Sequence, residues 1–180
     1  MTETDLLKQL KDISANVNSW VAFAEAKNGA LLALDSGLAL AITSIVLDRC
    51  MSDPMLWYFY SAISFTVVSL LVVLLSFLPQ SHPSQGKPRS VCEQDNLWFY
   101  GDIAQYDSQS YLEALRMSIA ETDVPENRLC VDLAGQVIAN SRIAVRKYTY
   151  FRAAIWLLMA GVLTPPIGIA VCVWVKRRNS

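Results

Sequence analysis

Three blocks of the sequence are almost purely apolar and are separated by polar segments. They run from about Gly29 to Leu47, from about Met55 to Leu78 and from about Ala153 to Val175. Each block reaches the roughly 20 residues that an α-helix needs to cross about 30 Å of hydrocarbon. The pattern therefore predicts an all-α membrane protein with about three transmembrane helices.

Apolar residues also recur at helical spacing ahead of the first block, where three or four positions separate successive members of one stripe. The polar face of this helix is not especially rich in Lys or Arg, which favours packing on another helix over lying on the bilayer surface. We expect an N-terminal amphipathic helix that runs unbroken into the first span. Its stripe consists of Leu6, Leu10, Ile13, Val17, Trp20 and Ala24.

Helical signals resume after a segment rich in Pro, Ser and Gly that follows the second block. A short helix is predicted from Leu97 to Tyr106, followed by a second helix that ends at about Glu121. Asp107, Ser108 or Ser110 can cap this second helix, and Ser110 and Glu113 have the spacing of a capping box.

A further helix start is predicted at Asp123–Glu126, where an aspartate precedes a first-turn proline and a glutamate. No breaker follows until Gly161, so this helix should continue into the third span. Asn140 lies on an apolar heptad seam of this helix, where a polar residue can fix register or oligomer state. The seam is formed by Cys130, Leu133, Val137, Asn140, Ala144, Lys147 and Phe151.

These patterns divide the chain into six segments. They are a cytoplasmic amphipathic helix (1–28), a transmembrane hairpin (29–78), a linker (79–96), a small cytoplasmic helical region (97–152), a third transmembrane helix (153–175) and a basic tail (176–180).

The orientation of the spans follows from Lys and Arg, which are enriched on cytoplasmic flanks. The segments before the first span and between the second and third hold eleven of these residues, whereas the turn 48–54 holds only Arg49. We expect a multi-pass protein of the bacterial inner membrane with a cytoplasmic N-terminus. A full third crossing places 176–178 outside. A re-entrant break at Pro165 and Pro166 would keep them inside, but the two halves are too short to span alone.

The composition argues against a soluble enzyme. The chain is 53% hydrophobic and 17% charged, against about 45–50% and 25% in soluble proteins. Four scattered cysteines and the single histidine, His82, provide neither a metal site nor a nucleophile with its base. The net charge of −1 gives no basic field for nucleic acid. We predict no catalytic residues, metal, cofactor or nucleic-acid partner.

Polar residues share one face of the first long helix. Glu25, Asn28 and Asp35 lie three and seven positions apart, and Asp35 lies inside the apolar block. Ionisable residues in spans usually face a bundle interior or a water-filled path. Asp35 could therefore line a pore formed by several copies, or bond a serine and stabilise packing. The candidate serines are Ser36, Ser61 and Ser64.

Small residues on the same helix indicate close contact with another helix. They are Gly29, Ala33 and Gly37.

Two blocks of the sequence resemble the transmembrane effectors of Pycsar, the pyrimidine cyclase anti-phage systems. The first block extends from Asn18 to Ala30 and includes Trp20, Phe23, Ala24, Glu25, Lys27, Asn28 and Gly29. The second comprises Leu97–Ala104, Tyr111, Leu112, Asp132, Gln136, Ile143, Ala144 and Arg146–Tyr148.

The resemblance implies a specific function. Phage infection would activate a partner pyrimidine nucleotide cyclase, and cyclic CMP or cyclic UMP would accumulate as the activating ligand. The effector would then impair the inner membrane, so that the infected cell dies or stops growing. Membrane lipids and further copies of the same chain are the other expected partners.

A basic cluster precedes the third span and has two interpretations. Its residues can set topology and meet anionic lipids. Alternatively, Arg142 and Arg146, together with Lys147, bind the cyclic phosphate of the ligand that the resemblance implies. The base could then stack on Trp98 or its neighbours Phe99 and Tyr100, although such rings are more often core residues. Arg152 completes the cluster.

A second function, from a different class, is a membrane scaffold or subunit of a larger complex that has no nucleotide ligand. Only the hypothesis of a ligand-gated effector predicts that the membrane loses its integrity when a nucleotide is added. An intramembrane enzyme is disfavoured because the sequence has no paired acids or nucleophile with a base.

Overall fold

The computed structural model describes residues 3–47, 53–79, 95–118 and 128–178, and the regular elements in these ranges are α-helices. Three of the helices are long and apolar enough to cross a membrane, which confirms the predicted all-α membrane fold. The helices are α1 (Glu3–Leu47), α2 (Asp53–Ser76), α3 (Tyr100–Ile103), α4 (Ser108–Ser118) and α5 (Arg128–Arg178).

Some predicted features lie outside the described residues. They are most of the turn between the first two spans, most of the linker with His82, and the helix start at Asp123.

The first and last helices along the chain, α1 and α5, are each much longer than one membrane span. Helix α1 has 45 residues and α5 has 51, more than twice the roughly 20 residues that a span requires. Each of these helices therefore contains a polar segment in addition to its apolar segment. The chain forms two compact units, unit 1 (residues 1–25 and 79–148) and unit 2 (residues 26–78 and 149–180).

The core of unit 1 is built on the apolar stripe of α1. Leu10, Ile13 and Val17 are fully buried there, and burial of such side chains stabilises by about 1.5–3 kcal/mol each. The hydroxyls of two buried tyrosines find acceptors, since Tyr106 donates to Asp95 at 2.7 Å and Tyr111 to the Leu97 carbonyl at 2.8 Å. Other core members are Leu6, Ile103, Leu112, Leu115, Cys130, Ala134, Val137 and Ile138.

Residues of the heptad seam of α5 contact other residues of the same chain. Asn140 donates from Nδ2 to Oδ1 of Asn18 on α1 at 2.8 Å, and Val137 and Ala144 are buried in the same chain. The polar position therefore has its partner within one protomer. The prediction that Asn140 fixes register or oligomer state stays a prediction.

The N-terminus of α4 is capped by Asp107. Its Oδ1 accepts from the backbone N–H groups of Gln109 at 3.0 Å and Ser110 at 2.8 Å, while Ser110 Oγ accepts from the Asp107 N–H at 3.3 Å. The reciprocal pair is therefore Asp107 with Ser110, and the predicted box of Ser110 with Glu113 is wrong. The bond from the Ser110 backbone, helped by the Arg142 charge, holds the pKa of Asp107 below its ordinary value.

Unit 2 contains the apolar segments of α1, α2 and α5. Its interior includes Leu31, Val73 and Leu158, whereas large apolar side chains such as Leu40 and Trp156 are exposed. Exposed apolar surface of this kind suits contact with lipid tails. Helix α5 contains both Pro165 and Pro166 and continues to Arg178. The described residues therefore show no re-entrant break.

A close helix approach in unit 2 occurs at a glycine that the sequence pattern did not single out. A Cβ placed on Gly161 of α5 would lie 2.9 Å from Thr66 Oγ1 and 3.2 Å from the Ala62 carbonyl oxygen of α2. The predicted close-contact positions Gly29 and Gly37 have nothing within 4 Å of such a Cβ. That prediction is therefore wrong for contacts among the described residues.

Replacing Gly161 by Ala should destabilise the packing of α2 and α5, since overpacking typically costs roughly 1–3 kcal/mol. Gly37→Ala is the matched control, because it adds the same methyl group to open space and Ala favours the helix by up to about 1 kcal/mol. Thermal unfolding of both variants in lipid nanodiscs measures the difference. Equal midpoints for the two variants would contradict the close approach.

Asp107 should make the stability of unit 1 sensitive to acid. Because its pKa is lowered in the folded state, its stabilisation is complete above the unfolded value of about 3.9 and is lost as the pH falls through the folded value. Asp107→Ala should cost about 1 kcal/mol at neutral pH and reduce this acid-induced loss. Unfolding curves at several pH values test this, with the exposed Asp132→Ala as control. An unchanged acid dependence in Asp107→Ala would refute the assignment.

Candidate functional site

The basic segment of α5 begins with an arginine that is already bonded. Arg142 donates from Nε to the Ala104 carbonyl at 3.0 Å and from Nη2 to the Tyr106 carbonyl at 2.9 Å. These carbonyls lie just after α3, where a helix end leaves acceptors without helical partners. Arg142 therefore holds the connection between α3 and α4 against α5, which occupies two of its five N–H donors.

Lys147 forms an ion pair with a residue of the predicted polar face. Its Nζ lies 3.1 Å from Glu25 Oε1, and the Lys147 side chain is mostly buried whereas that of Glu25 is half exposed. The pair joins α5 to α1 within unit 1. Glu25 differs in burial from the other two residues of its predicted face, because Asn28 and Asp35 are fully buried.

Aromatic side chains from three helices of unit 1, α1, α3 and α5, form a cluster. The Tyr100 ring stacks on Tyr148 with centroids 5.3 Å apart, and lies 5.5 Å from Trp20 and 4.6 Å from Phe99. Burial raises the pKa of both Tyr100 and Tyr148. Their phenols therefore stay protonated at neutral pH and can donate hydrogen bonds.

Trp98 has a fixed backbone and an exposed ring. Its carbonyl accepts from Asn16 Nδ2 at 3.1 Å, and its N–H donates to Asn96 Oδ1 at 3.0 Å. The rings of Trp98 and Phe99 are both about two-fifths exposed. Of the three predicted stacking residues, these two present an accessible face, whereas Tyr100 is packed among aromatic neighbours.

The structure does not connect Trp98 directly to the basic residues. Within the described ranges, no hydrogen bond or ring contact joins it to Arg142, Arg146 or Lys147. Arg142 instead bonds two backbone carbonyls, and Lys147 pairs with Glu25. The predicted nucleotide residues all belong to unit 1.

Arg116 on α4 is a residue that the sequence analysis missed. Its Nε and Nη2 atoms are buried and have no hydrogen-bond partner among the described residues. An unmade hydrogen bond at a buried donor costs roughly 1–3 kcal/mol, and more when the donor is charged. The sequence signal was a basic residue next to the buried Leu112 and Leu115 of an amphipathic helix. Arg116 is therefore suited to bind an anion.

Buried polar groups also connect the three candidate spans. Ser69 Oγ on α2 lies 2.8 Å from Asp35 Oδ2 on α1 and 2.9 Å from the Ala154 carbonyl oxygen on α5. The predicted partners of Asp35 are wrong, because each of those serines bonds a carbonyl of its own helix instead. Those serines are Ser36, Ser61 and Ser64.

The described residues contain no group of three His, Cys, Asp or Glu side chains that could hold a metal ion. The side chains described above can bind anions through guanidinium groups, stack through aromatic rings and exchange protons at carboxyl groups.

Comparison with known proteins adds two matches. The family model described as the Pycsar effector protein domain matches residues 9–174. The Pycsar effector protein PtPycTM of Propioniciclava tarda is 32% identical over 151 residues, which is 82% of this chain and 70% of that protein. No solved structure matches. The matched residues include parts of all five helices.

Arg142→Ala should loosen the connection between α3 and α4. Two carbonyl groups lose their donor, which we expect to cost about 1–3 kcal/mol of unfolding free energy. Hydrogen exchange should become faster in residues 104–110, and the thermal midpoint should fall. Arg152→Ala removes an exposed charge from the same basic cluster and serves as control. Identical exchange in the two variants would refute this role for Arg142.

Proposed function

Because this chain belongs to the Pycsar effector family and is therefore an anti-phage defence effector, we propose that it responds to cyclic CMP or cyclic UMP. The response is an impairment of the inner membrane that stops the infected cell before the phage is released. The nucleotide comes from the cyclase with which a Pycsar effector functions. The effector itself acts by binding and movement rather than by catalysis.

The family match carries this proposal. It extends from residue 9 to residue 174 and so includes the three candidate spans as well as the buried core of unit 1. A match of this extent favours the function of a complete effector over that of a single domain shared with other proteins. The non-catalytic scaffold remains the competing function, and it predicts no response to any nucleotide.

Arg116 supports a binding site for the cyclic phosphate. Nε and Nη2 lie on the same edge of the guanidinium, and this edge donates two parallel hydrogen bonds to a phosphate or carboxylate. Both donors are buried and lack partners among the described residues. Arg142 is a weaker candidate than the sequence predicted, because its corresponding edge is bonded to two carbonyls.

Arg146 and Lys147 remain proposed phosphate contacts, and Trp98 a proposed surface for the base. The exposed Trp98 ring offers a face of the kind on which pyrimidines stack. A ligand at Lys147 would compete with Glu25 for the ammonium group. Such competition would break a contact between α1 and α5, which links binding to a change in helix packing.

Helix α5 supports a route from binding to the membrane. It holds the basic segment and the third candidate span in one uninterrupted helix, so a ligand that displaces one part can displace the other. Shifting a two-state equilibrium from 1:99 to 99:1 requires about 5.5 kcal/mol of differential affinity. A few hydrogen bonds at one site supply less than this, and several protomers acting together would supply it. We therefore propose a homo-oligomer. The excess of Lys and Arg before the first span and between the second and third spans supports a cytoplasmic N-terminus.

Cells that express the protein should depolarise when micromolar cyclic CMP or cyclic UMP is supplied, and cells without it should not. A voltage-sensitive dye records the response, and calorimetry on purified variants records binding. Arg116→Ala and Arg146→Ala should abolish binding and depolarisation while leaving membrane insertion intact, because each removes phosphate donors.

Arg152→Ala controls for loss of one basic charge and should respond as the natural sequence does. Cyclic AMP controls for the pyrimidine base. If both arginine variants bind and depolarise normally, the proposed phosphate site is wrong. If the natural sequence binds neither pyrimidine nucleotide and does not depolarise cells, the scaffold function takes its place.

A further inference from the structure

Three oxygen atoms from three helices meet inside unit 2. Ser69 Oγ lies 2.8 Å from Asp35 Oδ2 and 2.9 Å from the carbonyl oxygen of Ala154. Asp35 and Ser69 are fully buried. A single hydroxyl thus lies between a carboxyl group of α1 and a backbone carbonyl of α5.

The number of protons available decides which of these contacts are hydrogen bonds. A serine hydroxyl carries one hydrogen, a carbonyl oxygen only accepts, and an ionised carboxylate only accepts. If Asp35 were ionised, the two contacts would share one proton. Either one contact would bring two lone-pair oxygens together, or both would be weak halves of a three-centre bond.

A protonated Asp35 removes this conflict. Its carboxyl O–H donates to Ser69 Oγ, and the Ser69 hydroxyl then donates to the Ala154 carbonyl. Each short contact has its own proton, and the three helices are joined by a directed chain of two hydrogen bonds. Chains of this kind strengthen one another in a medium of low dielectric constant.

Among the described residues, Asp35 has no ion-pair partner that would compensate a negative charge. Its Oδ1 is buried and has no hydrogen-bond partner among the described residues, and no ion pair reaches it there. The nearest cation along α1, Lys27, lies 5.6 Å from the Phe151 ring centroid. The other described ionisable groups of unit 2 are Tyr58, Tyr60, Tyr150, Arg152, Cys172, Lys176, Arg177 and Arg178, and none of them bonds Asp35.

We infer that Asp35 is a proton-binding site whose neutral carboxylic acid joins α1, α2 and α5 through Ser69. Release of the proton breaks only the Oδ2–H bond and passes the proton to water. The remaining carboxylate then leaves one hydrogen for two contacts in an apolar interior, where an uncompensated charge is expensive. The packed form therefore binds the proton more tightly than the separated helices do. By linkage, this packing is favoured at low pH and weakens as the pH rises.

Infrared spectroscopy of the protein in lipid nanodiscs, with no nucleotide present, tests the protonation directly. At neutral pH the spectrum should contain the C=O stretching band of a carboxylic acid in an apolar environment. The band should shift in D₂O and be lost in Asp35→Asn. Spectra in which Asp35→Asn removes no such band would overturn the proposal.

Stability measurements in the same nanodiscs separate the donor from the charge. Asp35→Asn keeps an N–H donor for Ser69 and should retain the natural midpoint at neutral pH, whereas Asp35→Ala and Ser69→Ala should unfold several degrees lower. Ser64→Ala is the control on α2, because its hydroxyl bonds only the Tyr60 carbonyl of its own helix.

The decline in stability at higher pH should be present in the natural sequence and absent from Asp35→Asn. If Asp35→Asn is as unstable as Asp35→Ala, or keeps the natural pH dependence, Asp35 is not the protonated donor. Because these measurements contain no nucleotide, their outcome is independent of the proposed response to cyclic pyrimidines.

Discussion

A helix that passes from water into hydrocarbon satisfies most of its backbone hydrogen bonds within itself, and this constraint shapes the first and last helices, α1 and α5. Pro165 and Pro166 of α5 are exceptions, because proline has no N–H to donate. Helices α1 and α5 remain single elements over 45 and 51 residues. Their backbone stays helical throughout, and only the side chains change from polar to apolar where the helix enters the membrane. In unit 1 the apolar stripe of α1 is covered by α3, α4 and α5. In unit 2 many of the large apolar side chains point outward. Hydroxyls such as those of Ser64 and Thr66 bond a carbonyl of their own helix, whereas the Ser69 hydroxyl contacts other helices.

The constraint also explains why single polar residues matter here. Asp35 meets Ser69 because an unpaired polar group in the interior of unit 2 would be costly, whereas Asn140 meets Asn18 at the surface of unit 1. Arginines differ for the same reason. Arg142 has carbonyl acceptors, whereas the buried edge of Arg116 has none among the described residues. The buried donors of Arg116 therefore suit a ligand that brings its own oxygen atoms.

Sequence patterns predicted the features that depend on one helix at a time. Hydropathy located three spans, and the spacing of Leu6 through Val17 marked the face of α1 that is buried. Patterns failed where a partner from another helix decides the outcome. The carboxyl of Asp35 meets Ser69 rather than the three serines predicted, and the close approach occurs at Gly161 rather than at Gly37. Periodicity identifies a face, but the register of the helix that meets it depends on tertiary packing.

Under the proposed function, a cyclic pyrimidine nucleotide opens or damages a membrane through this protein alone. Purified protein in liposomes that enclose a self-quenched dye provides the most direct measurement. We expect dye release on addition of cyclic CMP or cyclic UMP, and none with cyclic AMP or with liposomes that lack the protein. Liposomes that hold correctly inserted protein and retain their dye with both pyrimidine nucleotides would contradict it.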